Sequence, residues 1–248
     1  MGVSLGDSSA GDSTPGDMPK SSGAKIPDST ISWLSIYLRS LGELSARGET
    51  LVSSVALAAH AGVTPAKLRR DLGFVGSTGM RGVGYEVETL SRQIAIALGV
   101  DHEVPIAIIG VGNLGRALAR RSIFGSRGFR VAALFDIAPE ICGKTVQGHV
   151  VSHMDRLEEI SNELQINIAV VAVGPHAAQT VADEIVAAGI TSILNFSPAP
   201  VAVPDSIRVR NVDLLSELQI LAFHFTHKPR TATRGARAAA AGTKRASA

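Results

Sequence analysis

The sequence predicts an α/β protein, an N-terminal winged helix followed by a doubly wound parallel sheet, and three observations carry that expectation. Three short helical patterns run in succession from Ile31 to Leu72, the last two joined by Ala61-Gly62-Val63, which is the layout of a helix-turn-helix. Five glycines then fall within the twelve residues Gly73 to Gly84, a density that suits a tight β-hairpin wing better than a helix. From Val104 onward short apolar runs alternate with helical stretches, the βαβ signature of a parallel sheet.

Each element follows from local chemistry. Leu34, Leu38, Leu41 and Leu44 recur at three- and four-residue spacing and define an amphipathic helix closed by Gly48. A second helix spans Ser54 to Ala61 and stops at Gly62. Thr64-Pro65 supplies an N-cap and a first-turn proline for the third, which runs through Leu72. Strands are expected at Ile106–Ile109, Val131–Phe135, Ile168–Val173, Ser192–Phe196 and Arg208–Val212. Helices are expected at Leu114–Arg121, Asp155–Glu163 and Ala177–Ala188. A final helix, Asp213–Thr226, places Leu214, Leu218, Leu221 and Phe225 on one face, and that stripe requires burial against its own domain or a second subunit.

Composition narrows the function. Charged residues are 19% and apolar ones 45% of the 248, a balance typical of soluble globular proteins. No uninterrupted apolar run reaches the roughly 18 residues of a membrane span, and residues 1–30 lack the apolar core of a secretory signal. The single cysteine, Cys142, forms neither an internal disulfide nor a cysteine-based zinc site, and a reducing cytoplasm suits it. Charge is unevenly spread: Lys228 to Ala248 holds six basic and no acidic residues, leaving 18 basic against 22 acidic before it. A slightly acidic folded part does not advertise nucleic-acid binding, so such a role has to rest on a local cluster.

That cluster is Lys67, Arg69 and Arg70 on the third helix with Arg81 in the glycine-rich hairpin. The second helix of a helix-turn-helix enters the major groove, and an arginine at a hairpin tip suits a narrow minor groove. The sharpest motif is Gly110-Val111-Gly112-Asn113-Leu114-Gly115, which directly follows an apolar strand and opens a helix. In that setting Gly110 makes the turn, Gly112 admits a pyrophosphate and Gly115 permits helix-to-strand packing, the dinucleotide site of a Rossmann domain. Asp136 ends the second strand, where its carboxylate can accept both ribose hydroxyls. No arginine follows in Ile137-Ala138-Pro139, which favours NAD/NADH over the 2′-phosphorylated cofactor. Val173-Gly174 and Asn195-Phe196 end two further strands at the carboxyl edge, where Phe196 suits packing on a nicotinamide and a place in the core about equally.

Collinear stretches then resemble the Rex family of redox-sensing transcriptional repressors over about residues 27–229. They include Tyr37-Leu38-Arg39, Lys67-Leu68-Arg69-Arg70-Asp71-Leu72, Arg81-Gly82-Val83-Gly84-Tyr85, Gly110–Gly115, Phe135-Asp136, Asn195-Phe196-Ser197-Pro198 and Asn211-Val212-Asp213. The resemblance implies a homodimer on palindromic operator DNA, an NADH/NAD-sensing Rossmann domain and a C-terminal helix swapped between protomers. It implies Phe74 as a further DNA-side residue, where Leu72-Gly73-Phe74 lacks the hydroxyl donors usual in the family. It also implies redox coupling through Arg39, Asp213 and Arg121, the last standing where a tyrosine is usual, and it sets Gly174 at a common proline position. The expected organisation is a disordered arm over residues 1–25, the winged helix over 26–100, the Rossmann domain over 101–212, the dimerisation helix over 213–229 and a disordered basic tail over 230–248. Two rivals share the glycine loop: an NAD-dependent oxidoreductase, for which no acid/base set emerges from the seven histidines or Cys142, and a coenzyme A-binding domain, which Asp136 suits less well. The expected role is therefore not enzymatic.

Overall fold

The computed structural model describes residues 26–120, 124, 125 and 127–227. The arm over 1–25 and the tail over 230–248 lie outside them. The chain divides into two compact units between Glu103 and Val104.

The first unit holds α1 (Asp28–Ala46), β1 (Leu51–Val52), α2 (Ser54–Ala61), α3 (Pro65–Gly73), β2 (Tyr85–Glu86) and α4 (Val87–Leu98). Three of its four helices, α2, α3 and α4, start where side chains accept orphan amides. Ser53 accepts from Ala56 N–H at 3.1 Å, Thr64 from Lys67 N–H at 3.2 Å and Glu86 from Thr89 N–H at 3.1 Å. Leu34, Tyr37, Leu41 and Leu44 of α1 pack with Leu57, Leu68, Leu72, Leu90 and Ile94, one core shared by all four helices. Tyr37 takes the position that apolar periodicity assigns to Leu38, which is only partly buried. The wing is more compact than a hairpin over residues 73–84. Met80 and Gly84 form one antiparallel bridge around the turn Arg81–Val83, and β2 pairs with β1 instead. Gly84 is required there: at φ 108° a Cβ would run into the Val52 carbonyl oxygen.

The second unit is a seven-stranded sheet in the order β5-β6-β4-β3-β7-β8-β9. Its strands are β3 (Val104–Ile109), β4 (Phe129–Asp136), β5 (Thr145–Val146), β6 (His149–His153), β7 (Ile168–Val171), β8 (Ser192–Asn195) and β9 (Arg208–Asn211). All neighbours are parallel except β5 against β6. The helices are α5 (Asn113–Leu118), α6 (Leu157–Glu163, entered through a 3₁₀ turn), α7 (Ala178–Ala187) and α8 (Leu214–Thr226). Side-chain alternation on β3 feeds two cores. Ala107 and Ile109 join the layer holding Leu157 and Ile185, while Ile106 and Ile108 join the layer holding Leu118. Strand order reverses beside β3, so its carboxyl end is the topological switch point at which open α/β sheets bind ligands. No residue of α8 is buried; Leu214, Leu218, Leu221 and Phe225 are 60–75% exposed. The stripe is therefore not covered by the helix's own unit.

Candidate functional sites

The carboxyl edge of the sheet is held by backbone hydrogen bonds that continue past the strand ends. Gly110 N–H donates to Phe135 C=O at 2.9 Å, Ala172 N–H to Ile109 C=O at 2.8 Å, Phe196 N–H to Val171 C=O at 2.9 Å and Val212 N–H to Asn195 C=O at 2.8 Å. This stitching brings the Gly110–Gly115 loop, Val173-Gly174 and Phe196 to one edge. The three loop glycines have separable reasons. Gly110 sits at φ 92° with its α-carbon against Val173, so a Cβ would stand 2.7 Å from the Val173 side chain. At Gly115 a Cβ would overlap the Gly110 carbonyl oxygen, and the helix could not approach the loop. Gly112 has nothing within 4 Å of the Cβ position, which is the open backbone a pyrophosphate needs.

Asp136 closes the loop from β4. Its Oδ2 accepts Val111 N–H at 2.7 Å and its Oδ1 accepts Ala138 N–H at 2.9 Å, fixing the carboxylate while leaving further lone pairs on both oxygens for a diol. Val111 thus turns its amide to Asp136, whereas Asn113 and Leu114 are exposed on the first turn of α5. Sequence reasoning missed Arg116, whose Nε donates to Val111 C=O at 2.9 Å and braces the loop from inside α5. Its only signal is its place one turn after Gly112. The Cys142 thiol donates to the Asp136 carbonyl at 3.3 Å, and burial first, then the Asp136 charge, pushes its pKa up. It is a poor nucleophile in that setting. Open Gly112, crowded Gly115 and a fixed strand-end carboxylate together fit an adenine dinucleotide. At the other end of the edge Phe196 is half-buried, Gly174 is exposed, and Asp213 caps α8 by accepting Leu215 N–H at 2.9 Å and Ser216 N–H at 3.2 Å. The Ser216 hydroxyl bond is the main cause of the lowered Asp213 pKa. Arg121 lies outside the described residues, and Arg39 is exposed on α1.

In the first unit Arg69 and Arg70 are exposed on α3 and Arg81 on the wing turn. Ser53, Ser54, Arg69, Ser77, Arg81 and Tyr85 line a cavity of about 560 Å³ between α2, α3 and the wing. Arg69 Nη1 donates to Ser54 Oγ at 3.1 Å, so the guanidinium is aimed before any ligand arrives. Phe74, half-buried, ends α3. Lys67 is committed elsewhere: its ammonium lies 2.9 Å from Asp71 Oδ2 and 5.0 Å from the Trp33 ring centroid. Among the described residues no group of three or more His, Cys, Asp or Glu could hold a metal ion, and no helix is long and apolar enough to cross a membrane.

A winged helix followed in one chain by a Rossmann unit with a dinucleotide-type glycine loop defines the class, a transcription regulator built on a nucleotide-binding fold. Family models match both parts, a putative DNA-binding protein N-terminus over residues 25–73 and a CoA binding domain over residues 101–199. The chain belongs to the Rex family of redox-sensing transcriptional repressors. It is 53% identical over 203 residues to the repressor Rex of Streptomyces avermitilis, covering 82% of this chain and 81% of that one. It is 42% identical to Rex of Syntrophobacter fumaroxidans over 82% of this chain and 97% of that one. Among solved structures, the Rex-family repressor RSP superimposes with a TM-score of 0.72 at 32% identity, over 82% of this chain and 95% of RSP. RSP in complex with β-NAD+ and operator DNA gives 0.76 at 33% identity, over 82% and 94%; RSP has also been crystallised with β-NADH.

Proposed function

We propose that the chain is a homodimeric repressor that binds operator DNA and is released when NADH rises relative to NAD. The observation that carries the reading is the pairing, in one chain, of a glycine loop braced by Asp136 with a winged helix presenting Arg69, Arg70 and Arg81. The occupancy of RSP by β-NAD+ with operator DNA, and by β-NADH, supports it.

In this reading Asp136 holds the adenosine ribose, Gly110, Gly112 and Gly115 with the start of α5 pass the pyrophosphate, and Val173, Gly174 and Phe196 wall the nicotinamide. When bound, the cofactor supplies a ring that is positively charged in NAD and neutral in NADH. Asp213, whose carboxylate form the Ser216 hydrogen bonds favour, is suited to feel that difference, and Arg39 and Arg121 carry the opposite charge. Moving a two-state equilibrium from 1:99 to 99:1 needs about 5.5 kcal/mol of differential binding, and the change of ring charge is the source proposed for it. The α3 face reads the major groove, the wing turn reaches the minor groove, and the cavity between them takes a backbone phosphate on Arg69 and Arg81. The chain works by binding without turnover, in a reducing cytoplasm.

A coenzyme A reading has the family model over residues 101–199 behind it. Asp136 weighs against it, because a carboxylate facing a phosphorylated ribose is repelled. Titrating NADH, NAD and coenzyme A separately into a fluorescent operator complex tests both: release by NADH alone is expected, and release by coenzyme A alone would overturn the proposal.

A further inference from the structure

Asn195 ends β8 at the carboxyl edge and is fully buried. Both donors and the acceptor oxygen of its side chain are engaged. Oδ1 accepts Ser197 N–H at 2.9 Å, while Nδ2 donates to Ala199 C=O at 3.0 Å and to Asn211 Oδ1 at 2.9 Å. Two of those bonds fold the Phe196-Ser197-Pro198 loop back on its strand; the third crosses to the end of β9. Beyond that end stands Val212, whose N–H is held by the Asn195 carbonyl, and then Asp213, the cap of α8. The far side of the same loop is fixed independently, because the Gln179 amide donates to Ala202 C=O and accepts Ala202 N–H at 2.9 and 2.8 Å. The loop is thus a strap anchored on α7 at one end and on a buried amide at the other.

We propose that Asn195, through Asn211, is a positioning residue that ties the Phe196 loop to the stem of the C-terminal helix, so that a displacement at the loop reaches α8. This rests on the repressor reading above, in which Phe196 faces the nicotinamide. The residue type is specific. One planar group must offer an acceptor to Ser197 and two donors to Ala199 and Asn211; aspartate has no donors when ionised, and leucine has neither function. Asn211 needs only an acceptor; it is exposed on β9 and is not itself among the residues assigned to cofactor.

That asymmetry gives a test in the full-length protein. Asn211→Ala removes the crossing bond and leaves the two loop bonds in place, whereas Asn211→Asp keeps an acceptor. NADH affinity is measured by calorimetry and the NADH midpoint for operator release by fluorescence anisotropy. Asn211→Ala is expected to hold affinity within about twofold of wild type while raising the release midpoint about fivefold or more, a coupling loss of ordinary allosteric size. Asn211→Asp restores the wild-type midpoint. A midpoint unchanged in Asn211→Ala, or one that moves only in step with affinity, overturns the joint. Amide exchange of Ser197 in cofactor-free protein separates this from failure of the repressor reading. Faster exchange in Asn211→Ala supports the joint even if wild type proves insensitive to NADH, and unchanged exchange counts against it.

Discussion

Asp71 shows how a single residue carries information that helical periodicity cannot. It lies on the recognition helix yet is 3% exposed, receiving the Tyr37 hydroxyl at 2.8 Å and the Lys67 ammonium at 2.9 Å. Burial first, then the Asp71 hydrogen bond and charge, push the Tyr37 pKa far above the ordinary tyrosine value. A raised pKa means that the folded state favours neutral phenol. Its contribution is therefore complete below about pH 10, where unfolded tyrosine titrates, and is lost as pH climbs toward the folded value. Thermal unfolding between pH 8 and 11 should show that loss, and Tyr37→Phe, costing about 1.5–3 kcal/mol at neutral pH, should flatten it. The same cluster revises Lys67, which sequence alone groups with the arginines. With its ammonium held by Asp71 and Trp33, Lys67→Met should leave the salt dependence of operator binding nearly unchanged. Arg70→Ala, by contrast, should reduce the slope of log K against log salt by about two, one for each protomer of the dimer. Equal losses of slope would place Lys67 on the DNA after all.

At the scale of elements, the glycine loop yields the cleanest separation of fold from function. Gly115→Ala drives a Cβ into the Gly110 carbonyl and should destabilise the second unit by about 1–3 kcal/mol, with cofactor binding lost alongside. Gly112 has open space and an ordinary φ of −73°, so Gly112→Ala should keep the melting temperature while weakening NADH roughly tenfold, about 1.4 kcal/mol. Calorimetry and thermal unfolding on both variants check the contrast. The loop was legible in the sequence because strand, turn and helix signals coincide within Ile106–Leu118, and α2 and α3 because Gly62, Thr64 and Pro65 punctuate them. Other elements were hidden for physical reasons. The strands β5 and β6 are short and flank Gln147-Gly148, with His149 and His153 interrupting the apolar run. The helix α4 begins directly after β2 with no intervening loop, its start marked only by Glu86 accepting from Thr89. The pairing of β2 with β1 joins residues over thirty positions apart, which no local pattern reports. The joint at Asn195 was invisible for the same reason, since its partners lie on two different segments.

At the scale of the whole molecule, the outstanding feature is α8. The sequence marks one apolar stripe, but Leu215, Ile220 and Phe223 are also more than half exposed, so apolar side chains occupy most of the helix circumference. A helix of that kind is stable in water only when enclosed, and lying on a flat surface would cover one face alone. Insertion into a second copy of the chain, as the repressor reading proposes, would enclose it, at about 1.5–3 kcal/mol for each large side chain fully buried, enough across the stripe to offset the cost of association. Truncation after Val212 should therefore convert a dimer into a monomer or an aggregate, as read by light scattering, while the β3–β9 sheet, whose strands and two cores precede the cut, retains its circular dichroism. Two distinct changes follow for DNA. A dimer contacting about 6–10 phosphates should lose roughly 10³–10⁵ in affinity between 50 and 200 mM salt. The truncated monomer, with about half those contacts, should show about half the slope and no preference for a palindrome over a half-site. A soluble dimer from the truncated chain, with the palindrome preference intact, would show that α8 is covered by something other than its twin.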